Sequence, residues 1–184
     1  MKSIYKILTL KILIISGTNR LASNSLMVAT IYKELLSKYA VESEIIGLHD
    51  LPIDFLVSAL YKNSGKNPAF NIFRNKIIEY QKFVFIVPEY NGSFPGVLKA
   101  FIDGLKYPDS FKNKKGALVG ISAGIMGGAL ALSHLTDILN YMGMNVLGNK
   151  VKLHRIEENF VAGMIQNKLF NELLEIQVKE LIEF

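Results

Sequence analysis

The segment 88–96 carries the residue types best suited to binding a small aromatic ligand. It reads Pro-Glu-Tyr-Asn-Gly-Ser-Phe-Pro-Gly. Its prolines stiffen the chain, and its glycines let the backbone approach a partner closely. Tyr90 offers a flat ring, and Asn91 and Ser93 offer hydrogen bonds. These residue types suit a flat ligand with polar edges, and they suit an ordinary turn between a strand and a helix equally well.

A second segment, residues 16–25, has the composition of an anion-binding loop. Side-chain donors are supplied by Thr18, Ser23, Asn24 and Ser25. Arg20 adds a positive charge on a planar fork that matches phosphate oxygens. The segment after it has helical spacing, and the first N–H groups of a helix, together with its dipole, favour an anion. The sequence therefore predicts a phosphate site here, with a helix cap at Ser23 or Asn24 beside a surface arginine as the alternative.

A third segment, residues 122–128, is built from small residues. It reads Ser-Ala-Gly-Ile-Met-Gly-Gly and precedes a predicted helix. Adjacent glycines let a ligand ring or a neighbouring backbone come close. Close packing of the helix on the sheet explains Gly127 and Gly128 equally well.

These three segments lie between elements that alternate along the chain. Short apolar runs predict strands at 12–16, 44–48, 83–87 and 116–122, with a fifth beginning at 145–147 and extending toward 151. Amphipathic spacing predicts helices at 26–39, 69–80, 97–105, 128–142 and 165–182, and residues 49–67 are predicted to be a long loop. This alternation predicts an α/β fold, a five-stranded parallel sheet between two helical layers.

The natural strand order for five such strands is the flavodoxin-like order 2-1-3-4-5. In that order the loops after strands 1, 3 and 4 meet at one edge of the sheet, so the three segments above are expected to form one site. No linker or repeat interrupts the sequence. We therefore predict one domain over residues 1–184, with residues 1–10 as a loose extension.

Composition excludes several kinds of site. The chain has 184 residues, half of them hydrophobic, which suffices for a sizeable core and excludes intrinsic disorder. It has no cysteine, which excludes disulfides, iron–sulfur clusters, thiolate metal sites and cysteine nucleophiles. The net charge is +5, and the densest lysine group is Lys112, Lys114 and Lys115. We expect that group to be a solvated loop rather than a nucleic-acid patch, while the positive field can gather anionic ligands.

The sequence also lacks several features that mark other classes of protein. Neither a P-loop pattern nor a Gly-x-Gly-x-x-Gly dinucleotide pattern occurs. His49, His134 and His154 lack the spacing of metal ligands, so no metal site is expected. Lysines interrupt the N-terminal apolar residues, and no apolar run approaches the roughly 20 residues that span a bilayer. We therefore expect a cytoplasmic protein with no signal peptide and no membrane span.

Taken together, the three segments resemble the NAD(P)H-dependent FMN reductase family, which includes small quinone, chromate and azo-dye reductases. The matching motifs are Gly-Thr-Asn-Arg-x-x-Ser-x-Ser at 17–25, Pro-Glu-Tyr-Asn-Gly-Ser-Phe-Pro-Gly-Val-Leu-Lys at 88–99 and Ser-Ala-Gly-Ile-Met-Gly-Gly at 122–128. The resemblance runs from about residue 11 to residue 147. The chain departs from the family at Ala100, Gly104, Ile125 and Met126, where Asn, Trp and an Arg between the glycines are common.

The resemblance implies a flavodoxin-like fold that binds FMN without a covalent link, and it assigns residues to that ligand. The FMN phosphate would be bound by Thr18, Arg20, Ser23 and Ser25. The isoalloxazine ring would be lined by Pro88, Glu89, Tyr90 and Asn91. The flavin would also be held by Ser122 and Gly124.

The implied activity is hydride transfer from NADPH or NADH to FMN, and from FMN to a quinone, flavin, azo dye or metal oxyanion. The flavin carries this chemistry, so no catalytic side chain is expected, and Glu89 is expected to shape its loop. The two substrates would use one flavin face in turn, which predicts ping-pong kinetics. The resemblance also implies a homodimer or homotetramer, packed through the helices after strands 3 and 4.

Two other functions fit the same residues. One is a non-enzymatic flavodoxin-like electron carrier or redox-sensing binding protein. The other is a flavodoxin-like fold that has lost its flavin and serves as an interaction partner. Direct two-electron reduction by NAD(P)H would distinguish the enzyme from the carrier, and absence of FMN binding would favour the last.

Overall fold

A computed structural model of the chain describes residues 10–184, and its elements alternate as the sequence predicts. The strands are β1 (Lys11–Ser16), β2 (Glu42–Gly47), β3 (Lys82–Pro88), β4 (Lys115–Ile121), β5 (Asn145–Val146), β6 (Val151–Leu153), β7 (Phe160–Val161) and β8 (Met164–Ile165). The helices are α1 (Asn24–Lys38), α2 (Phe55–Ser58), α3 (Pro68–Glu79), α4 (Gly96–Gly104), α5 (Ala129–Tyr141), α6 (Ile156–Asn159) and α7 (Lys168–Glu183).

The main sheet is parallel, with the order β2-β1-β3-β4-β5, and this confirms the predicted flavodoxin-like topology. Its fifth position is divided between two short strands that both pair with β4. β5 pairs with the start of β4, and β6 pairs with its end. Along the sheet, Ser16 lies beside Ile86, and Pro88 lies beside Ile121, so β1, β3 and β4 end near one edge.

Alternating residues of the strands face two buried clusters on opposite sides of the sheet. Leu13 and Ile15 of β1 belong to the cluster built with α3, α4 and α5. Ile12 and Ile14 belong to the cluster built with α1 and α7. All four side chains are fully buried, which is the pattern of a parallel sheet covered on both faces. The predicted three-layer α/β arrangement is confirmed.

Two connections differ from the prediction. Residues 49–67, predicted as a loop, contain α2, where buried Phe55 stacks on Phe70 of α3 with ring centroids 5.6 Å apart. The last helix begins at residue 168 rather than 165, because Ile165 pairs with Phe160 in the β7–β8 hairpin. Asn167 then caps α7 by accepting a hydrogen bond from the Phe170 N–H at 3.3 Å. In both segments, the tertiary contacts of one aromatic or aliphatic residue determine the secondary structure.

The expectation of a solvated lysine group at residues 112–115 is wrong for Lys114. Its side chain is buried, and its Nζ donates to the carbonyl oxygens of Ile77 at 2.7 Å and Ile78 at 3.1 Å, in the last turn of α3. Lys82 does the same for α7, donating to Leu181 and Ile182 at 3.0 and 2.8 Å. The last carbonyls of a helix lack intrahelical donors and favour a cation. Part of the positive charge therefore holds helices to the sheet.

The extension predicted at residues 1–10 lies outside the described residues except for Leu10, which packs against the α1–α7 side of the core. The single domain predicted for the whole chain stays a prediction. Within residues 10–184, no helix combines the length and the apolar composition that crossing a bilayer requires.

Candidate functional site

The three predicted loops surround one cavity of about 330 Å³ at the carboxyl edge of the sheet. Eight predicted site residues line it, namely Thr18, Arg20, Ser23, Ser25, Pro88, Glu89, Tyr90 and Ser122. The lining is completed by Ala22, Asn24, Ile121, Ala123, Ile156 and Glu157. Asn91 and Gly124, also predicted, lie in the same loops but outside this lining.

One end of the cavity is formed by the start of α1. Ser23 caps the helix, since its Oγ accepts a hydrogen bond from the Leu26 N–H at 3.2 Å. The N–H groups of Asn24 and Ser25 also belong to this first turn, where a helix has no acceptors of its own. The first turn holds no acidic residue, and Arg20 is exposed beside it. The helix cap that the sequence offered as one alternative is therefore present, and the phosphate site at this end stays a prediction.

Thr18 lies between this end and the second loop. Its side chain is almost completely buried. Its Oγ1 accepts a hydrogen bond from the Arg20 N–H at 3.3 Å and lies 2.8 Å from the phenol oxygen of Tyr90. This contact ties the loop after β1 to the loop after β3.

The second loop turns sharply between Tyr90 and Ser93. These two residues exchange backbone hydrogen bonds of 2.8 and 3.1 Å, and Asn91 and Gly92 between them have φ angles of 51° and 76°. Two successive positive φ angles make this a type I′ turn, for which Asn-Gly is the preferred pair. The turn is also tied to α5, because Ser93 Oγ lies 2.9 Å from His134 Nδ1. Asn91 is therefore explained first by its backbone conformation, and its side chain is exposed.

Glu89 leaves one hydrogen-bonding atom unsatisfied at the cavity. Its N–H donates to the carbonyl oxygen of Ile121 at 2.9 Å and so extends the pairing of β3 and β4. Its Oε2 is buried and has no hydrogen-bond partner within residues 10–184. Buried polar atoms are nearly always paired in native proteins, so an unpaired acceptor that lines a cavity suits a ligand with a donor.

The third loop is braced by the segment after β6. Ser122 Oγ donates to the Gly124 carbonyl at 2.9 Å, which also accepts from the Arg155 N–H at 3.0 Å. The Ile156 N–H donates to the Ser122 carbonyl at 3.1 Å. These bonds bring Ile156 and Glu157 to the cavity, and sequence reasoning missed both. The sheet topology could have indicated them, because the loop after the fifth strand also begins at the carboxyl edge of the sheet.

Packing explains the paired glycines of the third loop. Gly127 and Gly128 are buried and have φ angles of 58° and 78°. A Cβ atom on Gly127 would lie 2.8 Å from the Cβ of Lys152. A Cβ atom on Gly128 would lie 3.1 Å from the backbone nitrogen of Ile121 and 3.2 Å from the Cα of Gly120, so the close packing on the sheet that the sequence offered as one explanation is present.

Within residues 10–184, no group of three or more acidic or histidine side chains could hold a metal ion. His154 packs edge-on against Phe170 with centroids 5.0 Å apart, and His134 contacts Ser93. These two histidines therefore have packing and hydrogen-bonding contacts with other side chains.

A family model described as NADPH-dependent FMN reductase matches residues 10–158. The chain belongs to this family. It is 34% identical over 121 residues to an NAD(P)H-dependent FMN reductase of Pseudomonas aeruginosa, a match that covers 64% of this chain and 65% of the relative. It is 35% identical over 85 residues to a 2-hydroxy-1,4-benzoquinone reductase of a Burkholderia species, covering 45% and 46%. Both matches thus span less than two thirds of the relative's length.

A longer match reaches a quinone reductase of Escherichia coli, at 27% identity over 87% of this chain and 81% of the relative. Among solved structures, the fold is similar to FerB, a flavoenzyme NAD(P)H:(acceptor) oxidoreductase from Paracoccus denitrificans. The TM-score is 0.76, with 23% identity, covering 94% of this chain and 95% of the other. An FMN-dependent NADH-azoreductase of Bacillus anthracis, solved in complex with FMN, gives a TM-score of 0.66 at 14% identity, covering 93% and 99%. At these identities the structural likeness concerns the fold.

Proposed function

We propose that this protein is an NAD(P)H-dependent reductase that holds FMN without a covalent link in the cavity at the carboxyl edge of the sheet. The observation that carries this proposal is the convergence of all three family motifs on that cavity, between the first turn of α1 and the Tyr90–Ser93 turn. The cavity offers donors at one end and an unpaired acceptor elsewhere in its lining. FMN has a matching phosphate and a ring with an N–H donor.

The phosphate belongs at the α1 end of the cavity. Arg20 and the hydroxyl of Ser25 supply donors there, with Thr18 beside them and the first-turn N–H groups behind. Ser23 acts through its helix cap, which fixes the direction of that first turn. Charge-assisted hydrogen bonds to a phosphate are about twice as strong as neutral ones, so this end contributes much of the selectivity for FMN.

The flavin ring belongs beside the second and third loops. Pro88, Glu89 and Tyr90 line this part of the cavity, and the buried Oε2 of Glu89 suits the ring N–H. Asn91 contributes through the positive φ that forms the turn. Ser122 and Gly124 contribute through the braced loop on the opposite side.

Bound FMN would supply the redox chemistry, which is acceptance of hydride from the nicotinamide and reduction of the second substrate. The protein's residues bind and orient it, and we assign none as a general acid or base. Because relatives are named quinone reductases and azoreductases, we propose a quinone or azo compound as the acceptor. We further propose that the protein acts in the cytoplasm as a homodimer or homotetramer.

The proposal is tested by an anaerobic absorption spectrum of protein that has been loaded with FMN and desalted. We expect a flavin spectrum that survives desalting and bleaches when NADPH or NADH is added. Flavin that is retained but reduced by neither nucleotide would favour an electron carrier or sensor over the enzyme. Protein that retains no flavin, and shows no FMN binding by titration, would contradict the proposal.

A further inference from the structure

The contact between Thr18 and Tyr90 joins two parts of the cavity with different roles. The residues are 72 positions apart, and their side-chain oxygens lie 2.8 Å from each other. Thr18 belongs to the loop that faces the phosphate, whereas Tyr90 belongs to the loop that faces the ring. The hydroxyl of Tyr90, in the loop beside the ring, therefore contacts the loop beside the phosphate.

The hydrogen-bonding capacity of Thr18 Oγ1 decides what this contact does. A hydroxyl oxygen can accept two hydrogen bonds and donate one. One acceptor position is taken by the Arg20 N–H at 3.3 Å. When Tyr90 donates its O–H to Thr18, the second acceptor position is filled as well. The hydrogen of the Thr18 hydroxyl is then the only hydrogen-bonding group that it can still offer, and Thr18 is one of the residues that line the cavity.

We propose that Tyr90 is a positioning residue for the phosphate: its hydroxyl fills the last acceptor position of Thr18 and so presents the Thr18 O–H to a phosphate oxygen. Tyr90 thereby sets how well the protein distinguishes FMN from riboflavin, which lacks the phosphate. This inference rests on the proposed FMN site and assigns to Tyr90 a role in addition to lining the ring.

The geometry allows the hydroxyl of Tyr90 to be removed without disturbing its loop. The turn is held by backbone hydrogen bonds between Tyr90 and Ser93, and these do not involve the phenol oxygen. Tyr90→Phe keeps the ring that lines the cavity and removes only the donor to Thr18. In that variant an acceptor position of Thr18 Oγ1 is free, so the hydroxyl no longer has one preferred direction.

The test is a pair of titrations, with FMN and with riboflavin, followed by quenching of flavin fluorescence. We expect Tyr90→Phe to weaken FMN binding about three- to tenfold, the effect of one hydrogen bond, and to leave riboflavin binding unchanged. Thr18→Val should weaken FMN at least as much, and adding Tyr90→Phe to it should cost nothing further. Thr18→Ser, which keeps the hydroxyl, should stay close to the unmodified protein.

Tyr107→Phe is the matched control, because Tyr107 is exposed and does not line this cavity. Circular dichroism confirms that each variant is folded. An equal loss for FMN and riboflavin in Tyr90→Phe would assign the hydroxyl to the ring and overturn the inference, as would no loss for either. If the unmodified protein binds riboflavin but not FMN, or binds neither, the proposed FMN site fails and the inference fails with it.

Discussion

The backbone N–H of Glu89 donates a 2.9 Å hydrogen bond to the carbonyl oxygen of Ile121, which carries the pairing of β3 and β4 to the floor of the cavity. This backbone hydrogen bond fixes the position of Glu89, whose Oε2 is buried and has no hydrogen-bond partner within residues 10–184. A rigid backbone thus holds an unsatisfied acceptor in the cavity lining. This arrangement lowers the stability of the empty site and favours a ligand that brings a donor.

Glu89→Leu tests that arrangement. We expect the variant to bind FMN and riboflavin more weakly, each by about three- to tenfold, because the acceptor for the ring N–H is lost. The free energy of unfolding of the flavin-free protein should not fall, since the change removes a buried oxygen without a partner. Flavin titrations and urea denaturation measure the two effects. Flavin binding as tight as in the unmodified protein would show that Glu89 does not contact the ligand.

Arg20→Ala tests the phosphate end. Losing a charge-assisted hydrogen bond should weaken FMN binding by about 1.5–3 kcal/mol, while riboflavin binding should be unaffected. Arg74→Ala is the matched control, because Arg74 contacts Ser64 at 3.2 Å and does not line the cavity. Calorimetric titration with the two flavins gives the comparison. Unchanged FMN affinity in Arg20→Ala would exclude Arg20 from the phosphate site.

Lys114 gives a pH dependence of stability with a definite sign. Burial lowers the pKa of its ammonium group to about 8, against about 10.4 in an unfolded chain. Between these values the unfolded chain binds more protons, so this group raises the free energy of unfolding as the pH increases from about 8 to 10.4. The neutral amine retains two N–H donors for the carbonyls of Ile77 and Ile78.

Lys114→Met should lose that contribution. We expect the unmodified protein to gain stability relative to Lys114→Met over this pH range, as measured by urea denaturation at several pH values. Lys112→Met, at an exposed position in the same segment, should run parallel to the unmodified protein. A stability difference between Lys114→Met and the unmodified protein that stays constant across the range would contradict the lowered pKa.

Gly127→Ala should destabilise the third loop. Its φ of 58° disfavours a side chain by about 1–2 kcal/mol, and the new Cβ would also press on Lys152. Gly148→Ala is the control, because nothing lies within 4 Å of its Cβ position. Chemical denaturation of the two variants should show a clear loss of stability in the first alone. Equal stabilities would mean that the loop relaxes without cost.

The sequence predicts the sheet order and the convergence of three loops. Apolar runs and turn residues indicate where the strands and helices lie, and the topology of a parallel sheet then brings the three loops to one edge. It does not predict the split of the fifth strand or the β7–β8 hairpin, whose two-residue strands are too short to have a period. It also misses Ile156, which reaches the cavity through its hydrogen bond to Ser122. Lys114 shows the same limit, since charge alone predicts exposure and only tertiary packing reveals the helix end that it contacts.

A crystal structure of the FMN-loaded protein tests the central claim most directly. It should place the phosphate within hydrogen-bonding distance of Arg20 and the first-turn N–H groups of α1, with the ring beside Tyr90 and Ser122. FMN in another place would contradict the account. The apolar groove between α4 and α5, which is lined by Ile102 and Tyr141, is one such place.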